Sequence, residues 1–286
     1  MKNIEELLGY QGKTVVITGA ASGMAKSATE LLLSLGAKVY AVDRNETDLP
    51  VFEFISADLS QKATIDEVVA KLPEKIDALF MCHGVGIGKG KEKFIQMVNF
   101  VGQRYMVEEL LPRIADGGSV TFISSTGGYG WEQNMQNVGE VLACPTFEAT
   151  EKWVDEHVDL FTDGQTPDPY QFSKQCVTAY VKLKTRAPEF IDRKIRINAI
   201  GPSFTSTALI KEFNLAASSD GTEAGGAQVL HDLYLKSWNG RPGLPEEMGY
   251  PLVFIGSDLF SYLSGQVLYI DFGLTGEFDF QAASAR

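Results

Sequence analysis

The sequence predicts an α/β fold: a doubly wound, mostly parallel seven-stranded sheet with helices on both faces. Three observations predict it. Short apolar runs rich in β-branched residues alternate with longer segments of helical periodicity, the pattern of right-handed βαβ units. The first run, Thr14 to Thr18, leads directly into a glycine-rich turn, Gly19-Ala-Ala-Ser-Gly23. No internal repeat or linker divides the 286 residues, so residues 1–286 are expected to form one domain.

Thr14 to Thr18 suits a strand buried on both faces. The helical segment after it runs to Leu35 and closes on Gly36, a residue suited to the C′ position. Ala37 to Val42 is the second strand and ends on Asp43; Val51 to Ala57 is the third and ends on Asp58-Leu59. Ser60 is placed to cap a helix through Leu72, with Pro73 marking its end. Asp77 to Cys82 is the fourth strand, followed by a turn containing Gly84, Gly86, Gly88 and Gly90. A long helix is expected from Glu92 to Ile114, broken by Gly117-Gly118, before the fifth strand, Ser119 to Ile123, closes on Ser124-Ser125. After an insertion at about 127–169, a helix opens at Asp168-Pro-Tyr170-Gln-Phe-Ser-Lys174 and runs to about Arg186. Ile195 to Ile200 and Val267 to Ile270 complete the sheet.

Composition excludes several classes. With 44% apolar and 22% charged residues the chain has ample core material. No apolar run approaches the ~18 residues of a membrane span. The opening Met-Lys-Asn-Ile-Glu-Glu-Leu-Leu carries acids and no cleavage-like site, so a short amphipathic helix and a cytoplasmic location are expected. A net charge of -12 repels nucleic acid and anionic membrane. Cys82, Cys144 and Cys176 read as reduced thiols, and His83, His157 and His231 are too scattered for a metal site.

Ligands of such sheets bind outside the carboxyl ends of the strands. Gly19, Ser22, Gly23 and Met24 are candidates to cradle a pyrophosphate: glycine lets the backbone approach, and the helix N-terminus offers free N–H groups. Asp43, 24 residues after Gly19, can accept bonds from ribose hydroxyls and would repel a 2′-phosphate, which favours NAD over NADP. Arg44 can stack on adenine or receive a phosphate, which keeps NADP open. Asp58 reads either as a helix cap or as an adenine contact. Tyr170 and Lys174 are four residues apart on one helical face, where an ammonium beside a phenol eases its ionisation.

Taken together, Thr18-Gly19-x-x-x-Gly23, Asp43, Asp58-Leu59, Asn99, Ser125, Tyr170-x-x-x-Lys174 and Asn198-x-x-x-Pro202 resemble the short-chain dehydrogenase/reductase family over about residues 12 to 275. The resemblance implies a Rossmann fold and hydride transfer between nicotinamide C4 and a secondary alcohol or ketone. It implies Tyr170 as general acid/base, Lys174 as its tuner and ribose ligand, and Ser125 as hydrogen-bond donor to the substrate oxygen, with Ser124 as rival. Asn99 then holds a water relay, the alternative being a plain capping-type bond. Leu59, Gly84, Pro202, Ser203, Thr205 and Thr207 become cofactor contacts. The long insertion is similar to that of the bacterial 3α-hydroxysteroid dehydrogenase/carbonyl reductase group, which implies a hydroxysteroid or similar hydrophobic substrate.

Three departures stand against the family pattern. Ala25 replaces a glycine, Met81-Cys82-His83-Gly84 replaces Asn-Asn-Ala-Gly, and Ser203 replaces the glycine after Pro202. His83 is expected to pack or face solvent rather than enter the pocket. Substrate choice is expected from the insertion and from a lid at about 203–240, in which residues 216–226 read as loop. Phe204, Leu209, Phe213, Leu230 and Tyr234 are either an apolar substrate wall or ordinary packing. A homo-oligomer, dimer or tetramer, is expected. Two other functions stay open: an NADP-linked carbonyl reductase of broad specificity, and a non-catalytic dinucleotide-binding redox sensor.

Overall fold

The computed structural model describes residues 3–88, 90–161, 167–236 and 240–284. Seven strands form: β1 (Thr14–Thr18), β2 (Lys38–Asp43), β3 (Glu53–Ser56), β4 (Ile76–Met81), β5 (Ile114–Ile123), β6 (Arg196–Pro202) and β7 (Val267–Ile270). Their order is β3-β2-β1-β4-β5-β6-β7, and every pairing is parallel. The order reverses between β1 and β4, which opens the crevice at their carboxyl ends.

The inner strands bury both faces, as their continuous apolar character requires, while the edge strands β3 and β7 stay partly exposed. Val16, Leu79 and Met81 point to one core, packed under Ile65, Val107 and Val177 of the helices Lys62–Lys71, Gly102–Leu110 and Pro169–Lys184. Val15, Ile17 and Phe80 point to the other, under Ala28 and Leu252 of the helices Gly23–Ser34 and Pro245–Gly256. The first of these helices ends as expected: Gly36 takes φ 76°, and the N–H groups of Gly36 and Ala37 return to the Leu33 and Leu32 carbonyls.

Several boundaries differ from the sequence reading. Ser60 is not the cap: the helix starts at Lys62 behind Gln61, and Ser60 lies buried with its N–H on Asp58 Oδ1, 2.9 Å. Asp58 thereby closes an Asx-type turn instead of capping the helix. The expected long helix is shorter and interrupted, with α-helix Glu92–Gln96, a π turn Met97–Val101, α-helix Gly102–Leu110 and a 3₁₀ turn Leu111–Arg113. Gly117 and Gly118 lie inside β5 rather than ending a helix. Gly117 takes φ 76°, and a Cβ at Gly118 would stand 2.9 Å from the Asp77 carbonyl oxygen, where the β4 register shifts.

The insertion folds into helices Met135–Ala143 and Phe147–Glu156. Val138, Val141 and Phe147 join the core, and Trp153 stacks on Phe172 of the Tyr170 helix with ring centroids 5.8 Å apart. Its two helices therefore extend the core behind the Tyr170 helix, where the sequence suggested a substrate-facing role. Residues 162–166 of the insertion and 237–239 of the expected lid lie outside the described residues.

The stretch expected as loop at 216–226 is half helical, because helices Ile210–Ala217 and Glu223–Leu230 leave only a short turn between them. Thr222 caps the second helix by accepting the Gly225 N–H. A Cβ at Gly226 would fall 1.6 Å from the Asn214 carbonyl oxygen, so that glycine serves close helix packing.

A similar close approach fixes the start of the helix that carries the core residue Val107. A Cβ at Gly102 would meet the Leu59 carbonyl oxygen at 2.1 Å. Gly102→Ala is expected to cost about 1–3 kcal/mol, read as a lowered thermal midpoint. An unchanged midpoint would show that this helix can shift freely.

Candidate active site

The crevice is organised by the Thr18 hydroxyl at the end of β1. It accepts the N–H groups of Cys82 (3.0 Å) and His83 (3.3 Å) and lies 2.8 Å from His83 Nδ1. Gly19 follows with φ 72°, and a Cβ there would collide with the His83 backbone at 2.8 Å. A glycine is therefore required for the turn to lie against the end of β4. Ser22 precedes the helix Gly23–Ser34 without a side-chain cap bond, so its hydroxyl does not cover the helix N-terminus. Thr207 closes over the turn from the far side of the crevice: a Cβ at Gly23 would lie 3.2 Å from its methyl carbon. Met24 opens the helix, and its carbonyl packs against Gly249. Ala25, where the family has glycine, is buried without conflict.

Asp43 ends β2 with both oxygens oriented by backbone N–H groups, Ala21 at 3.0 Å and Asn45 at 2.9 Å. Each oxygen keeps a further lone pair for a ribose hydroxyl. Arg44 beside it is exposed, and Leu59 is buried after β3.

On the other side of the switch point, Asp168 and Gln171 form a capping box with Pro169 in the first turn, which sets the start of the Tyr170 helix. Lys174 is 4% exposed, and its Nζ donates to the Ile123 carbonyl at 2.9 Å, 5.6 Å from the Tyr170 ring centroid. Strand alternation separates the two serines. Ser124 turns inward to the Lys174 carbonyl (3.1 Å) and Thr178 (2.9 Å), while Ser125 accepts the Gly127 N–H, donates to the Pro202 carbonyl at 3.5 Å and stands near enough to the Tyr170 phenol to favour its ionisation. Ser125 is thus the serine beside the phenol.

Asn99 sits in the π turn, fully buried. It exchanges two bonds with the Val85 backbone (2.8 and 3.0 Å) and donates to Ser173 Oγ at 3.2 Å. A Cβ at Gly84 would lie 3.3 Å from its Oδ1 and 3.7 Å from Lys174 Nζ. The glycine that remains of the family motif is therefore the one that lets these two side chains meet the crevice. After β6, Ser203 needs no positive φ, since among the described residues only Lys194 and Phe272 carry one without being glycine. The Thr205 hydroxyl donates to the Ser203 carbonyl (2.9 Å), so it shapes the loop after Pro202 rather than reaching across the crevice.

Burial dominates the electrostatics of this cluster. Burial pushes the Tyr170 phenol up to about 12; the Ser125 hydroxyl opposes this and the Asp168 carboxylate adds to it. The Lys174 ammonium is turned to Ile123 O, and burial pushes it down to about 8. His83 is pushed down to about 3 by burial first and the Lys174 charge second. Its ring packs against Thr18, in line with the packed reading.

Residues that pattern alone did not single out also meet here. Gln103 donates to the His83 carbonyl, and the Glu212 carboxylate lies against Gly86, where a Cβ would come within 2.5 Å. The extra glycine in the turn after β4 was the visible signal for the second contact. Phe213 packs edge-on to the Tyr170 ring with centroids 5.0 Å apart.

A glycine turn against two strand ends, an oriented carboxylate at the next strand and a buried serine–tyrosine–lysine cluster define a dinucleotide-binding oxidoreductase class. Two family profiles cover most of the chain: "short chain dehydrogenase" over residues 13–136 and "Enoyl-(Acyl carrier protein) reductase" over residues 162–275. The chain belongs to the short-chain dehydrogenase/reductase family. Among relatives, it is 28% identical to a coniferyl-alcohol dehydrogenase of a Pseudomonas strain, over 93% of this chain and 98% of that one. It is 24% identical to the 3-alpha-hydroxysteroid dehydrogenase/carbonyl reductase of Comamonas testosteroni, over 91% and 95%. The structure of a Pseudomonas 3-alpha-hydroxysteroid dehydrogenase complexed with NADH superposes with a TM-score of 0.74 at 23% identity, covering 93% of this chain and 98% of that one. Among the described residues no helix is long and apolar enough to cross a membrane.

The depressed Lys174 makes a stability prediction. From about 8 up to the ordinary lysine value, the unfolded chain holds a proton that the folded chain has released, so stability rises with pH through that window. Below it both states are protonated and the cost of burying the charge is constant. Lys174→Met is expected to be at least as stable as the parent at pH 7 and to lack that rise. Thermal midpoints from pH 7 to 10 check this; parallel profiles for the two proteins would refute it.

Proposed function

We propose that the chain is an NAD-dependent dehydrogenase/reductase acting on a secondary alcohol or ketone of hydrophobic, ring-bearing type, with hydroxysteroids as the expected class. The observation that carries this reading is the convergence of Ser125, Tyr170 and Lys174 beside the Gly19 turn, with Asp43 held open at the next strand. Ser22, Gly23, Met24 and Thr207 would hold the pyrophosphate, Asp43 and Arg44 the adenosine, and Gly84, Lys174, Pro202 and Ser203 the nicotinamide half. The nicotinamide ring, when bound, gives up or takes the hydride.

The remaining work falls to the chain. Ser125 donates a hydrogen bond to the substrate oxygen, where negative charge develops. Tyr170 takes the hydroxyl proton in oxidation and returns it in reduction. With the phenol at about 12 in the protein alone, ionisation near neutrality needs positive charge beside it. Lys174 supplies that charge when its ammonium swings from Ile123 O toward the phenol. Asn99, bonded to the Val85 backbone, keeps the loop over Lys174 in place and offers a route for protons behind it.

Two experiments test the reading. Tyr170→Phe is expected to lower turnover of a hydroxysteroid by about 10²- to 10⁴-fold while dinucleotide affinity is retained. Dinucleotide binding by the parent without turnover of any alcohol in a broad panel would favour the redox-sensor reading instead. Comparing kcat/KM for NAD and NADP should show a preference for NAD that shrinks in Asp43→Ala. A preference for NADP would replace this assignment with the Arg44-based one.

A further inference from the structure

Gln96 closes the helix Glu92–Gln96, three residues before Asn99, and is 2% exposed. An amide buried that deeply needs a partner inside the protein. Its Nε2 donates to the Pro169 carbonyl at 2.6 Å, in the first turn of the helix Pro169–Lys184 and directly before Tyr170. A second link runs beside it. Asn99 Nδ2 donates to Ser173 Oγ (3.2 Å), and Ser173 Oγ donates to the Tyr170 carbonyl (2.7 Å). That link is indirect and shared, because the same Nδ2 also serves the Val85 carbonyl. The Gln96 link is direct. The Asp168 cap, by contrast, accepts the Gln171 N–H within its own helix (2.8 Å), so it fixes how the chain enters the helix but not where the turn stands in the fold. Gln96 comes from another element and supplies that second constraint. Both partners of its bond are braced by the insertion: Lys93 pairs with Glu151 (3.0 Å) and Asp155 (2.8 Å) of the helix Phe147–Glu156, and Trp153 of that helix stacks on Phe172. On the crevice side the turn that follows Ser125 lies against the phenol ring, since a Cβ at Gly127 would stand 3.5 Å from Tyr170 Cε1.

We propose that Gln96 is a positioning residue for Tyr170: through the Pro169 carbonyl it fixes the first turn of the helix, and with it the place of the phenol beside Ser125. This inference rests on the alcohol/ketone reading above for what that placement achieves. Gln96 is not asked to touch substrate or dinucleotide. Proton transfer requires the phenol oxygen within hydrogen-bond reach of the substrate hydroxyl, and a misplacement of about 1 Å can cost about 10²-fold in rate. The groups assigned to the dinucleotide at the Gly19 turn and Asp43 stand on other elements, and Lys174 has its own tie to Ile123 O. Loss of the Gln96 bond is therefore expected to act on turnover and to spare dinucleotide binding.

Two variants and two measurements on the full chain test this. Gln96→Met keeps length and bulk and removes the donor. Gln96→Asn keeps the amide but withdraws it by one methylene, which guards against a fold defect in the apolar variant. The first measurement is amide hydrogen exchange along the Tyr170 helix. In either variant the amides of Phe172, Ser173 and Lys174 should exchange about three- to tenfold faster, while those from Thr178 to Val181 keep the parent rates. The second is oxidation of the 3α-hydroxysteroid androsterone with NAD. Here kcat should fall about 10- to 100-fold, with KM for NAD changed by less than about twofold. First-turn exchange equal to that of the parent, faster exchange along the whole helix, or an unchanged kcat would overturn the proposal, since a merely structural glutamine gives a lower thermal midpoint without the local loosening and the loss of turnover. Failure of the parent to oxidise any alcohol would sink the redox reading instead, and the exchange rates would still decide whether Gln96 holds the Tyr170 turn.

Discussion

The ends of β1 and β4 are held together by one hydroxyl, and the crevice depends on that contact. Thr18 Oγ1 gathers two backbone N–H groups and the His83 imidazole, and the Gly19 turn can press against them because it has no Cβ. Bringing the two ends this close aims the turn after β4 at the helix of Tyr170. Gly84 then falls against Asn99 and Lys174, and Gly86 against the helix that carries Phe213. An added methyl at Gly19 would push the two strand ends apart, whereas at Gly84 and Gly86 it would press on the Asn99 and Glu212 side chains.

Burial is the second feature of the crevice, and the shifts it produces share one cause. Burial pushes the Tyr170 phenol and the Cys82 thiol up and the Lys174 ammonium and the His83 imidazole down. Each shift disfavours the charged form of its group. A lysine kept there costs folding free energy, the pattern expected where a site is retained for chemistry at some expense of stability. The same burial strengthens any hydrogen bond or charge interaction that forms once a substrate enters.

Glycine and aromatic residues divide the labour in the segment after β6. Gly226 lets two helices cross at backbone distance, and Phe204, Phe213 and Tyr234 fill the space between those helices and Tyr170. Within that small-residue stretch Gly226 serves tight packing, while residues 219–224 are exposed. The insertion before the Tyr170 helix is likewise a packing element, since Trp153 and Phe147 belong to the core.

The sequence by itself determined the parallel sheet, the position of the glycine turn and the helix that bears Tyr170 and Lys174. These are encoded locally: a β-branched run buried on both faces, a glycine where the backbone must take positive φ, and an Asp-Pro start with a capping partner at Gln171. The terminal strand Val267–Ile270 was legible to the residue as a short apolar run, although it lies half-buried at the sheet edge. Only the tertiary structure decided the rest. It placed Gly117 and Gly118 inside a strand, because the neighbouring β4 and Arg193, far apart in sequence, take up their backbone groups. It turned Ser124 away and Ser125 toward the phenol, sent the Lys174 ammonium to a strand carbonyl, and set Phe213 on Tyr170. Each of these depends on which distant groups share a crevice and how deeply they are buried there, and no local pattern of residues carries that information.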